Sequence, residues 1–124
     1  MIETNFQQLG FSANETRLYL LLAEMGKATA QLLGKRAGIA RTTTYSVLEG
    51  LIAKGLVSEE HKQGTTFFVV NQPQALQRLV QREQETLRSK ERLVKELVEQ
   101  VKPYFKSKFF SLPKIQFFEG NSGN

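Results

Sequence analysis

The chain has 124 residues, 40% apolar and 23% charged, which is enough for one compact domain with a core and at most one appendage. The absence of cysteine excludes disulfides, thiolate zinc sites and a cysteine nucleophile. No apolar run approaches the ~18 residues of a membrane helix, and no basic-then-apolar leader is present. We therefore expect a cytoplasmic protein without a membrane partner.

One stretch of the chain has several cations without any acidic residue. The formal net charge is +5, which suits a polyanionic partner. Between Glu24 and Glu49 the chain has four cations and no acidic residue. This local imbalance, more than the total charge, indicates where an anion would bind.

Three helices are predicted in the first half of the chain. Ser12 and Glu15 have the S-x-x-E spacing of a capping box, and apolar residues at helical spacing follow them. Thr29 is placed to cap a short second helix, and Gly38 supplies the turn after it. A third helix is predicted over residues 41–54. Two helices joined by a short turn that contains glycine form a helix-turn-helix.

A β-hairpin is predicted directly after the third helix. Residues 56–60 and 65–70 favour strands, and residues 61–64 separate them as a turn. The hairpin 56–70 has the position of a wing. The predicted fold is therefore mainly α with a small β-hairpin (α+β), with a winged helix-turn-helix domain over residues 1–72.

The third helix has two faces of different chemistry. At about 100° per residue, one side gathers residues expected in the core, which are Thr44, Val47, Leu48, Leu51 and Ile52. The opposite side carries Thr42, Thr43, Ser46, Glu49, Gly50 and Ala53. These residues are mostly small, so the helix can approach the base edges of the DNA major groove, where hydroxyls can donate or accept hydrogen bonds.

We therefore predict that the third helix reads double-stranded DNA. Arg41 would reach a guanine edge or a phosphate, and Tyr45 would offer its hydroxyl to a phosphate. Cations on neighbouring elements would position the duplex, and the tip of the wing would touch the minor groove or a phosphate. The predicted DNA-binding residues are Lys27, Lys35, Arg36, Arg41, Thr42, Thr43, Tyr45, Ser46, Lys62 and Gln63. The alternative is that this face is only polar and solvated.

A long helix, predicted over residues 73–108, would form a coiled-coil-like homodimer. Pro73 suits its first turn, and apolar residues follow with the spacing of a heptad seam. The predicted dimerisation residues are Leu76, Val80, Leu87, Val94, Leu97 and Val101. Glu83 and Lys90 interrupt the seam; an antiparallel pair would keep Glu83 from facing its own copy, and both directions stay open. The helix alternatively packs back on its own core or lies on a membrane surface.

The last segment, residues 109–124, contains a stretch over residues 112–120 that is predicted to form a strand ending at a turn. A strand needs a pairing partner. We therefore expect this tail to begin a further domain, and a small-molecule effector would bind only through that missing part.

Three stretches of the sequence resemble the TrmB family of transcriptional regulators. Residues 9–19, LGFSANETRLY, are similar to that family's opening helix pattern, LG-(L/F)-S-x-x-E-x-x-x-Y. Residues 37–51, AGIARTTTYSVLEGL, followed by KGLV, are similar to its turn and recognition helix. Residues 113–120 resemble the start of its effector-binding domain. The resemblance covers nearly the whole chain and implies a winged helix-turn-helix regulator.

The sequence departs from the family pattern at two positions. Thr44 stands where valine is usual and Ala40 where proline is common, and both are packing or turn positions. Sensing of sugars, which the resemblance associates with a C-terminal domain, is not carried over, because we expect that domain to lie outside these 124 residues.

No catalytic or metal-binding constellation is found in the sequence. His61 is the single histidine and is predicted in the hairpin turn, without cysteine or aspartate nearby. Gly-rich phosphate loops and nucleophile turns are absent. We expect no enzyme, no metal and no cofactor. The alternative function is a winged-helix protein-interaction module in a larger transcription complex.

Overall fold

The computed structural model describes residues 1–105, and the chain divides into two compact units, Met1–Arg82 and a second that begins at Glu83. The helices are α1 (Ile2–Gln8), α2 (Ala13–Met25), α3 (Ala30–Ala37), α4 (Arg41–Ala53) and α5 (Ala75–Val101). The strands are β1 (Lys27–Ala28), β2 (Val57–Lys62) and β3 (Thr65–Val70). The predicted fold class, a mainly helical winged helix-turn-helix followed by a long helix, is confirmed.

The predicted helix starts of α2 and α3 are present with their capping side chains. The Ser12 hydroxyl accepts a hydrogen bond from the Glu15 amide at 3.0 Å, and the Glu15 carboxylate accepts one from the Ser12 amide at 2.8 Å. The Thr29 hydroxyl accepts a hydrogen bond from the Leu32 amide at 3.2 Å. Each bond satisfies an amide that the first turn of a helix leaves without a partner.

The sheet has three antiparallel strands in the order β1-β3-β2. Strand β1 was not predicted, because two residues carry no periodicity. The wing, defined here as the β2–β3 hairpin, turns on Gln63 and Gly64, whose φ values of 51° and 77° lie in the left-handed region. The turn is therefore shorter than predicted, and His61 and Lys62 belong to β2.

The core of the first unit lies between the helices and the sheet. Its fully buried side chains include Leu18, Leu22, Leu33, Leu48, Leu51, Leu56 and Val57. The predicted core face of α4 is confirmed, since Thr44, Leu48 and Leu51 are buried and the other two members are half-buried. This packing fixes which face of α4 remains outside.

The first turns of α5 are part of the same core. The helix begins at Ala75, because Pro73 and Gln74 form the preceding turn. Ala75 is 2% exposed, and Leu76 and Leu79 pack against the buried cluster. The compact unit consequently extends ten residues beyond the boundary that the sequence suggests at residue 72.

Helix α5 ends earlier than predicted. The α-helix stops at Val101 and a single 3-10 turn, Lys102–Tyr104, follows. Pro103 explains the change, because it has no amide to continue the helical hydrogen bonds. The predicted strand over residues 112–120 lies outside the described residues. Within residues 1–105, no helix is long and apolar enough to cross a bilayer.

Candidate nucleic-acid interface

The crossing of α3 and α4 is set by a glycine against a threonine. Gly34 is buried, and a Cβ placed on it would lie 2.6 Å from the Thr44 Oγ1. The Thr44 hydroxyl donates to the Ala40 carbonyl at 2.9 Å, so this buried polar group is satisfied. Between the two helices Gly38 adopts φ 70°, the left-handed conformation that the tight turn requires. The two helices therefore approach as a helix-turn-helix does.

Contacts from outside the pair hold the ends of both helices. The Arg17 guanidinium donates to the Ala37 carbonyl at 2.9 Å, at the end of α3. The Arg82 guanidinium donates to the Lys54 carbonyl at 2.8 Å, directly after α4. Both satisfy carbonyls that a helix end leaves unpaired. Sequence reasoning missed both arginines, because the partners lie 20 and 28 residues away and no local pattern marks them.

An ion pair joins the start of α2 to the end of α4. Lys54 Nζ lies 2.9 Å from Glu15 Oε2. Burial raises the pKa of Glu15, but hydrogen bonds from Ser12 and the hydrogen bond and charge of Lys54 outweigh that effect and lower it overall. The assignment of Gly50 to the outer face was wrong in part, because it is half-buried and a Cβ there would lie 3.3 Å from Glu15 Oε2.

The outer face of α4 is exposed as predicted. It consists of Thr42, Thr43, Ser46, Glu49 and Ala53, all exposed to solvent. The contrast with the other side is sharp, since Thr44 is 1% exposed and Leu48 is not exposed at all. One threonine of the triplet is therefore structural, and the other two are free to contact a ligand.

Arg41 and Tyr45 lie together at the edge of this face. The Arg41 guanidinium carbon is 5.9 Å from the centroid of the Tyr45 ring, one helical turn further on. The Tyr45 ring in turn lies edge-on to Phe68 of β3, with 6.4 Å between centroids, and remains 41% exposed. The wing thus supports the ring on which Arg41 rests.

The other predicted DNA contacts fall into two groups. Lys35 and Arg36 are exposed in the last turn of α3, and Lys62 and Gln63 are exposed at the tip of the wing. Lys27 differs from them, because it is ion-paired.

Strand β1 places Lys27 beside the wing, where its Nζ lies 2.7 Å from Glu60 Oε1 and 5.2 Å from the Phe67 ring centroid. The hydrogen bond and charge of Lys27 lower the pKa of Glu60. To contact a phosphate, Lys27 would have to break its ion pair with Glu60.

The predicted dimerisation residues also divide into two groups. Leu76 packs against its own core, so the protomer already accounts for it. The other five are exposed, from 39% for Val80 to 58% for Leu87. Two apolar side chains outside the predicted seam, Leu93 and Val98, are 58% and 48% exposed on the same helix.

No cluster of three or more metal-ligating side chains occurs in residues 1–105. His61 Nδ1 lies 3.0 Å from the Thr66 hydroxyl across the hairpin and 3.9 Å separates its other ring nitrogen from Glu59. This is a surface pair within a sheet.

Comparison with known proteins agrees with this geometry. A family model described as the sugar-specific transcriptional regulator TrmB matches residues 6–83. No curated protein matches the chain.

Solved structures share the fold at low sequence identity. The structure of TrmBL2, an archaeal chromatin protein, has a TM-score of 0.59 at 24% identity and covers 94% of this chain. The chain spans 45% of that protein's length. A MarR family transcriptional regulator from Silicibacter pomeroyi has a TM-score of 0.52 at 16% identity, covering 92% of this chain and 73% of its own. A MarR family protein from Bacillus stearothermophilus has a TM-score of 0.51 at 14% identity, covering 77% and 79%.

Proposed function

Because the chain belongs to the TrmB family of transcriptional regulators, we propose that it binds double-stranded DNA at specific sequences as a homodimer. In this proposal α4 is the recognition helix and enters the major groove, while the wing contacts the duplex beside it. The family and the fold are those of transcriptional regulators, not of enzymes.

The proposal depends mainly on one observation, which is that α4 has a buried apolar side and an exposed polar side. Its inner side packs in the core through Leu48 and Leu51, neither of which is exposed. Its outer side presents the short side chains of Thr42, Thr43 and Ser46 to solvent. A helix with such a slim polar face fits a groove that is about 12 Å wide, and its hydroxyls meet base donors and acceptors.

The start of α4 supports binding of an anion at the same place. The side chains of Ser12 and Thr29 cap α2 and α3, whereas Ala40 at the start of α4 supplies no capping hydrogen bond. The first amides of α4 are consequently available to a DNA phosphate. Arg41 stands at this end, held over Tyr45, and we assign it to a guanine edge or a phosphate.

Cations around the recognition helix would hold the backbone of the duplex. Lys35 and Arg36 on α3, and Lys62 and Gln63 at the wing tip, are exposed and suited to phosphate contacts. Lys27 has the weakest support in this set, because it is already paired with Glu60. TrmBL2 is described as having a novel mode of DNA binding. Only the general property, DNA binding, is proposed for this chain.

The proposed dimer uses the exposed apolar residues of α5. Leu87, Val94, Leu97 and Val101 recur every three, four or seven residues and are 40–58% exposed. Exposed apolar side chains aligned along a helix are stabilised when a second copy covers them. A dimer would carry two recognition helices, and half-sites about one helical turn apart (~34 Å) would bind both at once.

The proposal is tested by measuring duplex binding with fluorescence anisotropy after selecting bound sequences from a random library. Arg41→Ala should weaken binding to the selected site by about 1–3 kcal/mol and relax base preference if Arg41 contacts a base. Arg78→Ala is the matched control, since Arg78 is exposed on α5 and loses the same charge.

Affinity should also fall with salt, with a slope near −0.9 for each phosphate that is neutralised. Failure to enrich any sequence, together with no salt-dependent binding of any duplex, would refute the proposal. A protein-interaction module would then be the remaining interpretation.

A further inference from the structure

An acidic side chain lies in the middle of the proposed DNA-reading face. Thr42, Ser46, Glu49 and Ala53 are spaced by four, three and four residues, so they form one stripe along α4, and all four are exposed. Glu49 is the single ionisable member of this stripe. Ser46 and Ala53, its neighbours on the stripe, are small, so they do not shield its carboxylate from a ligand in front of the helix.

No described side chain neutralises this carboxylate. Within residues 1–105, no cation lies within 4.0 Å of Glu49, whereas Glu15 and Glu60 have lysine partners. The residues three and four positions before and after Glu49 are uncharged, so its own helix offers no partner. In the free protein water solvates the charge.

A free carboxylate on this face is unfavourable for binding DNA in general. It repels the phosphates of any duplex, and entering the groove removes its water. The major groove contains one base whose edge offers only a donor there, cytosine with its N4 amino group, and glutamate is suited to accept from it.

Resting on the proposed function, we propose that Glu49 is a specificity-determining residue that accepts a hydrogen bond from a cytosine amino group in the half-site. At any other base its carboxylate would be desolvated without that bond, so the residue acts mainly by rejecting wrong sequences. Arg41 would provide attraction at one end of the helix, and Glu49 discrimination further along it.

The test compares the sequences that the parent chain, Glu49→Gln and Glu24→Gln select from a random duplex library. Glu24→Gln is the control, because Glu24 is an exposed acid on α2 and its loss changes the net charge equally. The parent should require cytosine at one position of each half-site, and changing that base should weaken binding roughly tenfold. Glu49→Gln should prefer adenine at the same position, because glutamine pairs with the N6 and N7 of adenine.

Random duplexes give a second measurement. Glu49→Gln should bind them more tightly than Glu24→Gln does, because only the former removes a charge from the contact face. An unchanged base preference in Glu49→Gln, with the parent binding a selected site, would overturn the role of Glu49 alone. A parent that selects no sequence would overturn the proposed function itself. Glu49→Ala, which keeps the charge change without the amide, should lose the cytosine preference and gain none for adenine.

Discussion

The two units of the chain differ in how far their leucine side chains are exposed. In residues 1–82, Leu18, Leu33 and Leu48 are completely buried, and the buried hydroxyls of Thr16 and Thr44 donate to backbone carbonyls. In the described part of the second unit, residues 83–105, Leu87 and Leu97 are 58% and 50% exposed. The first unit has a buried apolar core, although Ile2 and Leu9 at its surface are exposed, whereas the described part of the second unit has exposed apolar side chains along one helix.

This difference separates two kinds of stability. The fold of the winged helix depends on contacts within one chain, so it should not depend on protein concentration. A dimer formed through α5 depends on concentration, because its apolar contacts arise only when two chains meet. Substitutions in the two units should therefore change different measurements.

The largest effect is expected from Leu48→Ala. Leu48 lies in α4 and is not exposed, so its removal leaves a cavity in the core and should lower the free energy of unfolding by about 2–5 kcal/mol. Urea denaturation followed by circular dichroism measures this change. Ala53→Ser on the outer face of the same helix is the control and should stay within about 0.5 kcal/mol. Equal effects of the two substitutions would contradict the assignment of the faces.

An intermediate effect is expected from Leu97→Ala, and on association only. Each half-exposed leucine would contribute about 1 kcal/mol when a second copy covers it, so a dimer with two of them should dissociate roughly thirtyfold more readily. Sedimentation at several concentrations measures the dissociation constant, and Lys95→Ala on the same helix is the control. A monomeric parent would remove α5 as a dimer interface. Equal dissociation constants for parent and Leu97→Ala would exclude Leu97 from it.

The smallest effect is expected from Glu15→Gln and should depend on pH. The folded-state pKa of Glu15 is lowered, so its ionised form stabilises the fold above the unfolded pKa, about 4.3, and this contribution is lost as the pH falls through the folded value. Parent and variant should differ by about 1 kcal/mol or less at pH 7, and the difference should vanish at an acid pH below the folded-state pKa of Glu15. Urea denaturation at both pH values measures it. Glu24→Gln, which removes an exposed acid without an ion pair in residues 1–105, is the control, and a parent–Glu15→Gln difference that persists in acid would rule out the ion pair as its source.

Local chemistry made much of the fold predictable, and distant contacts explain what was missed. The capping hydrogen bonds of Ser12 and Thr29 and the turn at Gly38 involve residues only three or four positions away. Their roles can therefore be predicted from the neighbouring sequence. The pairing of Lys27 with Glu60 depends on β1 lying beside β3, which no pattern in residues 27–28 announces. The angle of Gly50 around α4 predicts an exposed position. Its burial depends instead on α2, whose Glu15 lies next to it.

The candidate site follows the same division. The spacing of apolar residues predicts the buried side of α4, and helix geometry then predicts that the opposite side is exposed. Thr42, Thr43 and Ser46 lie on that exposed side. The support of Tyr45 by Phe68, and of Arg41 by Tyr45, requires knowing where the wing folds back. Whether these residues contact DNA stays a prediction.

Because the first turns of α5 belong to the first unit, they determine where a shortened fragment of this protein can end. Ala75, Leu76 and Leu79 fill space in the core, and Arg82 donates to the Lys54 carbonyl behind α4. A chain that ended at residue 72 would lack these side chains and would expose part of the buried cluster against which they pack. The shortest fragment worth expressing for binding studies therefore ends after Arg82, and a fusion partner should be attached no earlier.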